Sequence, residues 1–227
     1  MSAIGEKLAV VSLGSSCQSA HQIKQNAEMI STLTGDSLMP KRFPFDWLIC
    51  PIARTAEWLD SGDRFPASPL ELSEYNQEGT FFWKKRGAFF WHDFRQQKLV
   101  DVEATFDPTR NKYDRFFNSF ADLRNKERVV FVVSNTQNNL ISVLGDDYNK
   151  GGGFVFTPRN TRDLKRSVEK RLGRSCEMMV VTYGQRSAPT LEGAPGEGIT
   201  VARMRPDGSE WKGDDAAWRA LFRTYFG

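Results

Sequence analysis

The chain has 227 residues, with 31 Lys plus Arg against 28 Asp plus Glu, and its 17 Phe, 6 Trp and 5 Tyr supply too much burial surface for a disordered chain. A net charge of +3 argues against nucleic acid as a partner, and no run approaches the ~18 apolar residues that cross a bilayer, so no membrane partner is expected. Three cysteines, odd in number and widely spaced, follow a start with no secretory pattern; free thiols in a reducing cytoplasm are expected, with neither a metal site nor a cofactor.

Residues 8–13, Leu-Ala-Val-Val-Ser-Leu, form a β-branched apolar run stopped by Gly14. This reads as a buried strand, then the turn Gly14-Ser15-Ser16-Cys17, then a helix from about Gln18. Ser15 or Ser16 is placed to cap that helix, leaving Cys17 in or beside its first turn. Residues 51–59 read as a second helix, with Pro51 at its start and Ser61-Gly62 after its end. From 63 to 100 the chain is rich in aromatics and turn residues and reads as irregular with short strands, one of them over 88–91. Asp107-Pro108 opens a helix in which Tyr113, Phe116, Phe117, Phe120 and Leu123 recur at helical spacing, and a strand over 128–133 follows, ending at Ser134-Asn135.

A glycine run, Gly151 to Gly153, reads as a flexible turn, because it lacks the Lys-Ser/Thr of a phosphate-binding loop. Thr157-Pro158 then leads into a basic helix carrying Leu164, Val168 and Leu172. A strand over 178–182, a mobile loop over 188–198, a strand over 199–204 and a helix from near Asp214 complete the chain. Helical patterns alternating with short apolar strands predict one α/β domain over 1–227, a mostly parallel sheet with helices on both faces in a three-layer sandwich.

Ligands of open parallel sheets bind beyond the carboxyl ends of the strands, and the first such end carries Cys17. Unpaired N–H groups and the macrodipole at a helix N-terminus favour a thiolate, and the same N–H groups can hold an oxyanion. Against this stands the ordinary behaviour of free cysteines, which are mostly buried and inert. A thiol nucleophile needs a base, and the chain has two histidines. His21 lies one helical turn after Cys17 and reads as a surface or packing residue. His92, in Phe90-Trp91-His92-Asp93-Phe94, reads equally as a base beside Asp93 or as a half-buried hydrogen-bonded imidazole.

Phe43-Pro44-Phe45-Asp46-Trp47-Leu48 encloses one carboxylate in aromatics. Asp46 can hold His92, cap the turn around Cys17, or cap backbone near Pro51. Asn135 lies past a strand end, where it can orient a histidine, bind substrate, or serve as a plain turn residue. The basic helix, with Arg159, Arg162, Lys165, Arg166, Lys170, Arg171 and Arg174, reads as a solvated face over its apolar stripe or as a dock for a phosphorylated donor. Asp214 and Asp215 read as the capped entry to the last helix.

Taken together, Ser12-Leu13-Gly14-Ser15-Ser16-Cys17-Gln18, Pro44-Phe45-Asp46-Trp47-Leu48 and His92-Asp93-Phe94 resemble a domain family of unknown function labelled papain-like cysteine peptidases. The resemblance spans about the first 135 residues, through Tyr113-Asp114-Arg115-Phe116 and the strand after it. It implies Cys17 as nucleophile, His92 as base and Asp93 or Asp46 as the polar third member, with Gly14, Ser15, Ser16, Gln18, Trp47 and Asn135 around a small-molecule or peptide substrate. A strand directly before the cysteine is instead similar to the layout of lipases and esterases. Cysteine followed by glutamine after a glycine turn is loosely similar to capsule-polysaccharide enzymes that use acyl thioesters. Three functions are therefore expected in competition: a cysteine hydrolase, an acyltransferase, and a binding module whose contact surface is the aromatic region 81–94.

Overall fold

A computed structural model gives the structure of residues 7–38, 41–76, 79–96, 99–138, 153–192, 196–205 and 211–227. In chain order the elements are β1 (Leu8–Ser12), α1 (Gln18–Gln25), α2 (Ala27–Thr34), β2 (Leu48–Ile49), α3 (Ile52–Ser61), β3 (Leu72–Asn76), β4 (Thr80–Trp83), β5 (Ala88–Phe90), β6 (Arg95–Gln96), β7 (Leu99–Val100), α4 (Val102–Ala121), β8 (Arg128–Ser134), α5 (Pro158–Leu172), β9 (Glu177–Thr182), β10 (Ile199–Arg203) and α6 (Asp215–Phe226). Strands β1, β8, β9 and β10 form a parallel sheet in that spatial order.

Alternation along these strands builds two cores. Ala9, Val11, Val129, Phe131, Val133, Met178 and Val180 point to one side, where Trp58, Phe117, Phe120, Leu164 and Val168 of α3, α4 and α5 cover them. Leu8, Val10, Val130, Val132, Met179 and Val181 point to the other, against Ile23, Ile30, Trp218 and Phe222 of α1, α2 and α6. Because both faces are covered, the strands read as continuous apolar runs, and the three-layer α/β arrangement follows.

The structure departs from the sequence reading in three places. In the stretch read as irregular with short strands, the strand expected over 88–91 is present as β5, and it belongs to a four-stranded antiparallel sheet in the order β2-β5-β4-β3. Its strands are two to five residues long and carry large side chains on both sides, so no alternation announces it. Helix α4 begins at Val102 rather than at Asp107-Pro108. Asp101 caps it by accepting the Ala104 N–H at 2.9 Å, and Pro108 lies inside. The loop expected to be mobile from 188 holds a 3₁₀ turn, Pro189–Leu191, anchored by the fully buried Leu191. Gly151 and Gly152 lie outside the described residues.

Elsewhere local chemistry sets the boundaries. Thr157 and Asn160 form a reciprocal capping box at α5, and Gly173 ends that helix in the left-handed region. Asp214 caps α6 through the Ala216 and Ala217 N–H groups.

The turn after β1 depends on Gly14. Its φ is +76°, and a Cβ there would lie 3.1 Å from the Phe45 carbonyl oxygen and 3.4 Å from the Phe45 Cβ. The Phe43–Leu48 string therefore rests directly on the turn that leads to Cys17. Gly14→Ala meets both a left-handed backbone and a crowded neighbour, and it is expected to cost about 1–2 kcal/mol or more. Urea titration of the variant checks this; an unchanged midpoint would show that the contact is slack.

Candidate active site

The carboxyl edge of the parallel sheet gathers the turn 13–17, the Ser134–Gln137 segment and, through the long C-terminal connection, Trp211. Leu13 continues β1 by donating its N–H to the Val132 carbonyl at 2.9 Å, and Gly14 then donates to Ser12 Oγ at 3.2 Å. Cys17 is the residue from which α1 starts, with a right-handed backbone, and its carbonyl accepts the His21 N–H.

No side chain caps α1, contrary to the role expected for Ser15 or Ser16. Ser16 Oγ turns instead to the Ser134 carbonyl at 3.4 Å. Ser15 is fully buried with its hydroxyl unpartnered, and among the described residues it is the one non-glycine with a left-handed φ, +66°.

All three cysteines are free and buried, but not alike. Cys50 and Cys176 belong to the apolar core, whereas Cys17 lies outside both core clusters. Its surroundings push the thiol up to about 12: burial is the largest cause, followed by the negative charges of Asp93 and Asp46. The resting sulfur is thus a protonated thiol. This corrects the expectation of a thiolate favoured by the helix N-terminus, because desolvation outweighs the dipole.

Asp46 is buried, and its Oδ2 accepts the Phe43 N–H at 2.8 Å. Among the three roles open to it, the observed one is to close the turn of its own aromatic string; it caps backbone, though at Phe43 rather than near Pro51. Burial pushes its carboxyl up to about 7, despite that hydrogen bond and the nearby Arg42. Asp93 pairs with Lys112 and accepts the Tyr113 hydroxyl at 3.1 Å, with its side chain only 7% exposed. Tyr113 is itself buried, and burial together with Asp93 holds its hydroxyl far above the usual tyrosine value.

Over this group opens a cleft of about 380 Å³ lined by Arg42, Phe43, Pro44, Trp47, His92, Asp93, Lys112, Tyr113, Phe116 and Trp211. His92 is exposed in it, its ring 6.2 Å from that of Trp47. Trp47 meets Trp211 at 6.2 Å, and Trp211 meets His21 edge-on at 5.0 Å, so a row of four rings runs from one histidine to the other. Burial lowers His21 below the usual imidazole value, in keeping with a packing role.

The remaining expected site residues support the edge. Gln18 Oε1 accepts from Ser134 Oγ and Thr136 Oγ1 while its Nε2 donates to the Trp211 carbonyl, so it is a buried brace. Asn135 is fully buried. Its Nδ2 donates to the Phe154 and Arg186 carbonyls at 2.8 and 2.7 Å, and its Oδ1 accepts the Thr182 hydroxyl. That corrects its assignment to substrate or histidine: the amide ties three segments together.

In the aromatic region 81–94, Phe81, Phe90 and Phe94 are core residues, while Phe82 and Trp91 are half-buried and His92 is exposed. On α5, Lys165 pairs with Glu169, Arg166 with Asp163 and Lys170 with Asp60, and Arg174 reaches the Lys126 and Glu127 carbonyls. None of its residues lines the cleft.

Among the described residues, no cluster of three His, Cys, Asp or Glu side chains is placed to hold a metal, and no helix is long and apolar enough to cross a membrane. Arg42, Lys112 and Trp211 were not singled out as site residues from the sequence. Tyr113 and Phe116 stood out by helical spacing and in the string Tyr113-Asp114-Arg115-Phe116, without a site role. Compared with family models, curated proteins and solved structures, the chain matches none.

Two predictions follow from this geometry. Ser15→Gly relieves a left-handed serine and is expected to stabilise the fold by about 1 kcal/mol, with Ser15→Ala giving no such gain; thermal melts of both decide it. Asp46 holds its proton in the folded state up to about pH 7, whereas an unfolded aspartate loses it near pH 3.8. Wild-type stability therefore includes a contribution that is full below about pH 4 and is lost as pH rises towards 7. Asp46→Asn, which keeps an acceptor for the Phe43 N–H, should flatten that part of the profile of Tm against pH. An identical slope in both proteins would show that Asp46 does not titrate there.

Proposed function

We propose that the protein is a cysteine-dependent acyl hydrolase in which Cys17 is the nucleophile and His92 the base. One observation carries this reading: Cys17, buried but outside the hydrophobic cluster that holds Cys50 and Cys176, starts a helix at the carboxyl edge of a parallel sheet and feels the charge of Asp93, which lines the cleft together with His92.

The raised thiol shapes the mechanism. A sulfur that is protonated at rest cannot attack as a preformed thiolate, so its proton leaves as the new bond forms. His92 takes the Sγ proton while Sγ adds to the substrate carbonyl carbon. The tetrahedral oxyanion is held by backbone N–H groups of the first turn of α1. It collapses as His92 returns the proton to the leaving amine or alcohol, leaving a thioester on Cys17. Water, deprotonated by His92, hydrolyses that thioester and restores the thiol. Lys112 and Tyr113 hold Asp93 beside His92, which makes Asp93 a positioning residue.

The test uses activated aryl esters and short peptides as donors, with intact-mass and peptide-level analysis of the protein. A stoichiometric acyl adduct is expected on Cys17, absent in Cys17→Ala, with acylation slowed by about 10²–10⁴-fold in His92→Ala. Iodoacetamide at neutral pH should leave the resting Cys17 unmodified, since its thiol is protonated. Ester turnover unchanged in Cys17→Ala, or adducts spread equally over Cys50 and Cys176, would overturn the proposal.

A further inference from the structure

The cleft has two chemical halves, and they constrain what fits. Phe43, Pro44, Trp47, Phe116 and Trp211 give it an apolar, mostly aromatic wall. Flat side chains of this kind bind flat apolar groups through dispersion and offset or edge-on ring contacts. The volume of about 380 Å³ is near the lower end for small-molecule pockets, room for one ring-bearing residue rather than an extended chain.

The charges of the lining are unequal. Asp93 and Lys112 neutralise each other in a direct ion pair. Arg42 is exposed at the cleft and makes no ion pair among the described residues. The carboxylate on which its charge acts, Asp46, is buried and accepts the Phe43 N–H. A guanidinium with no ion pair among the described residues, beside an aromatic wall, matches a planar carboxylate in two parallel N–H···O bonds. The same guanidinium disfavours a cationic ligand.

We propose that the cleft selects acyl groups carrying both an aromatic ring and a free carboxylate, the ring against Trp47 and Trp211 and the carboxylate on Arg42. This substrate class rests on the reading of Cys17 as the nucleophile for such acyl groups. The binding preference, however, can be measured with no turnover at all.

Isothermal titration of the full chain with N-acetylphenylalanine and with its uncharged amide provides the test, and N-acetylalanine serves as the ring-free control. The acid is expected to bind about tenfold more tightly than the amide, the size of one charge-assisted contact. N-acetylalanine should bind more weakly than either. Arg42→Gln, at an exposed position where folding is not at stake, should remove the preference of acid over amide, and Arg42→Lys should restore part of it.

Cys17→Ala should bind all three ligands as the wild type does, which separates the two claims. Loss of the acid preference with acylation of Cys17 intact would sink the substrate class and spare the hydrolase. The reverse pattern would sink the hydrolase and leave a carboxylate-binding cleft. Equal binding of acid and amide, a preference that survives in Arg42→Gln, or no binding at millimolar concentration would each overturn the substrate class.

Discussion

The closest backbone approach in the site is the seat of Phe45 on Gly14, and the rest of the arrangement depends on it. A glycine with φ of +76° allows the carbonyl of one aromatic string to lie where a Cβ would otherwise stand. That contact joins two segments some thirty residues apart in the chain. It brings Asp46 and Trp47 beside the turn that carries Cys17, and Asp46 locks the string's shape by holding the Phe43 N–H. Phe45 then packs edge-on against Trp58, Phe117 and Phe120, so the turn is continuous with the core of α3 and α4. A shift of this string would move a cleft wall and the field around the thiol together.

Burial of the sulfur has a chemical consequence beyond its raised pKa. Two opposing influences act on Cys17: the helix N-terminus favours negative charge, while desolvation and two nearby carboxylates oppose it. Desolvation prevails, and the thiol is neutral until something else carries its proton. In the proposed hydrolase, such a site would work more like a serine hydrolase than like an ion-paired thiolate, the nucleophile being made only in the act of attack. A protonated, sheltered sulfur is also a poor target for oxidants and alkylating agents, whose reactions need thiolate and access.

Much of the architecture was legible in the sequence because both sheet faces are covered. β1, β8 and β9 carry unbroken apolar runs, and caps such as Thr157 and Asp214 mark helix starts by local chemistry alone. Of the antiparallel sheet, only the strand over 88–91 was legible. Its strands are very short, and Phe81, Phe82, Phe89 and Phe90 fill both of its faces. The start of α4 was misplaced because Pro108 imitates a first-turn proline, whereas the cap that decides the boundary is Asp101, seven residues earlier. In the candidate site, the strings around Cys17, Asp46 and His92 stood out by composition and do come together around one edge. Asn135 had the right position but the wrong role, since only the fold reveals that its amide is fully engaged. Trp211 and Arg42 had no local signal, because tertiary packing alone brings them to the cleft.

The location of the cleft follows from how the layers are tied. Trp47, His92 and Tyr113 belong to segments packed on one side of the parallel sheet, while Trp211 leads into α6 on the other. Two layers separated by a sheet can share a cavity only past its end, and β1 lies at the sheet's border. Buried glutamines of α1 make the crossing: Gln18 donates to the Trp211 carbonyl, and Gln22 donates to the Lys212 carbonyl and the Asp215 carboxylate. Gly213, at φ +80°, lets the chain pass, since a Cβ there would come within 2.6 Å of Gln18 Nε2. The helix that begins with Cys17 therefore also holds the opposite wall of the cleft. Cys17 and the aromatic wall are set by one rigid element, which is the condition the proposed hydrolase needs for keeping a reacting carbonyl in line with the sulfur.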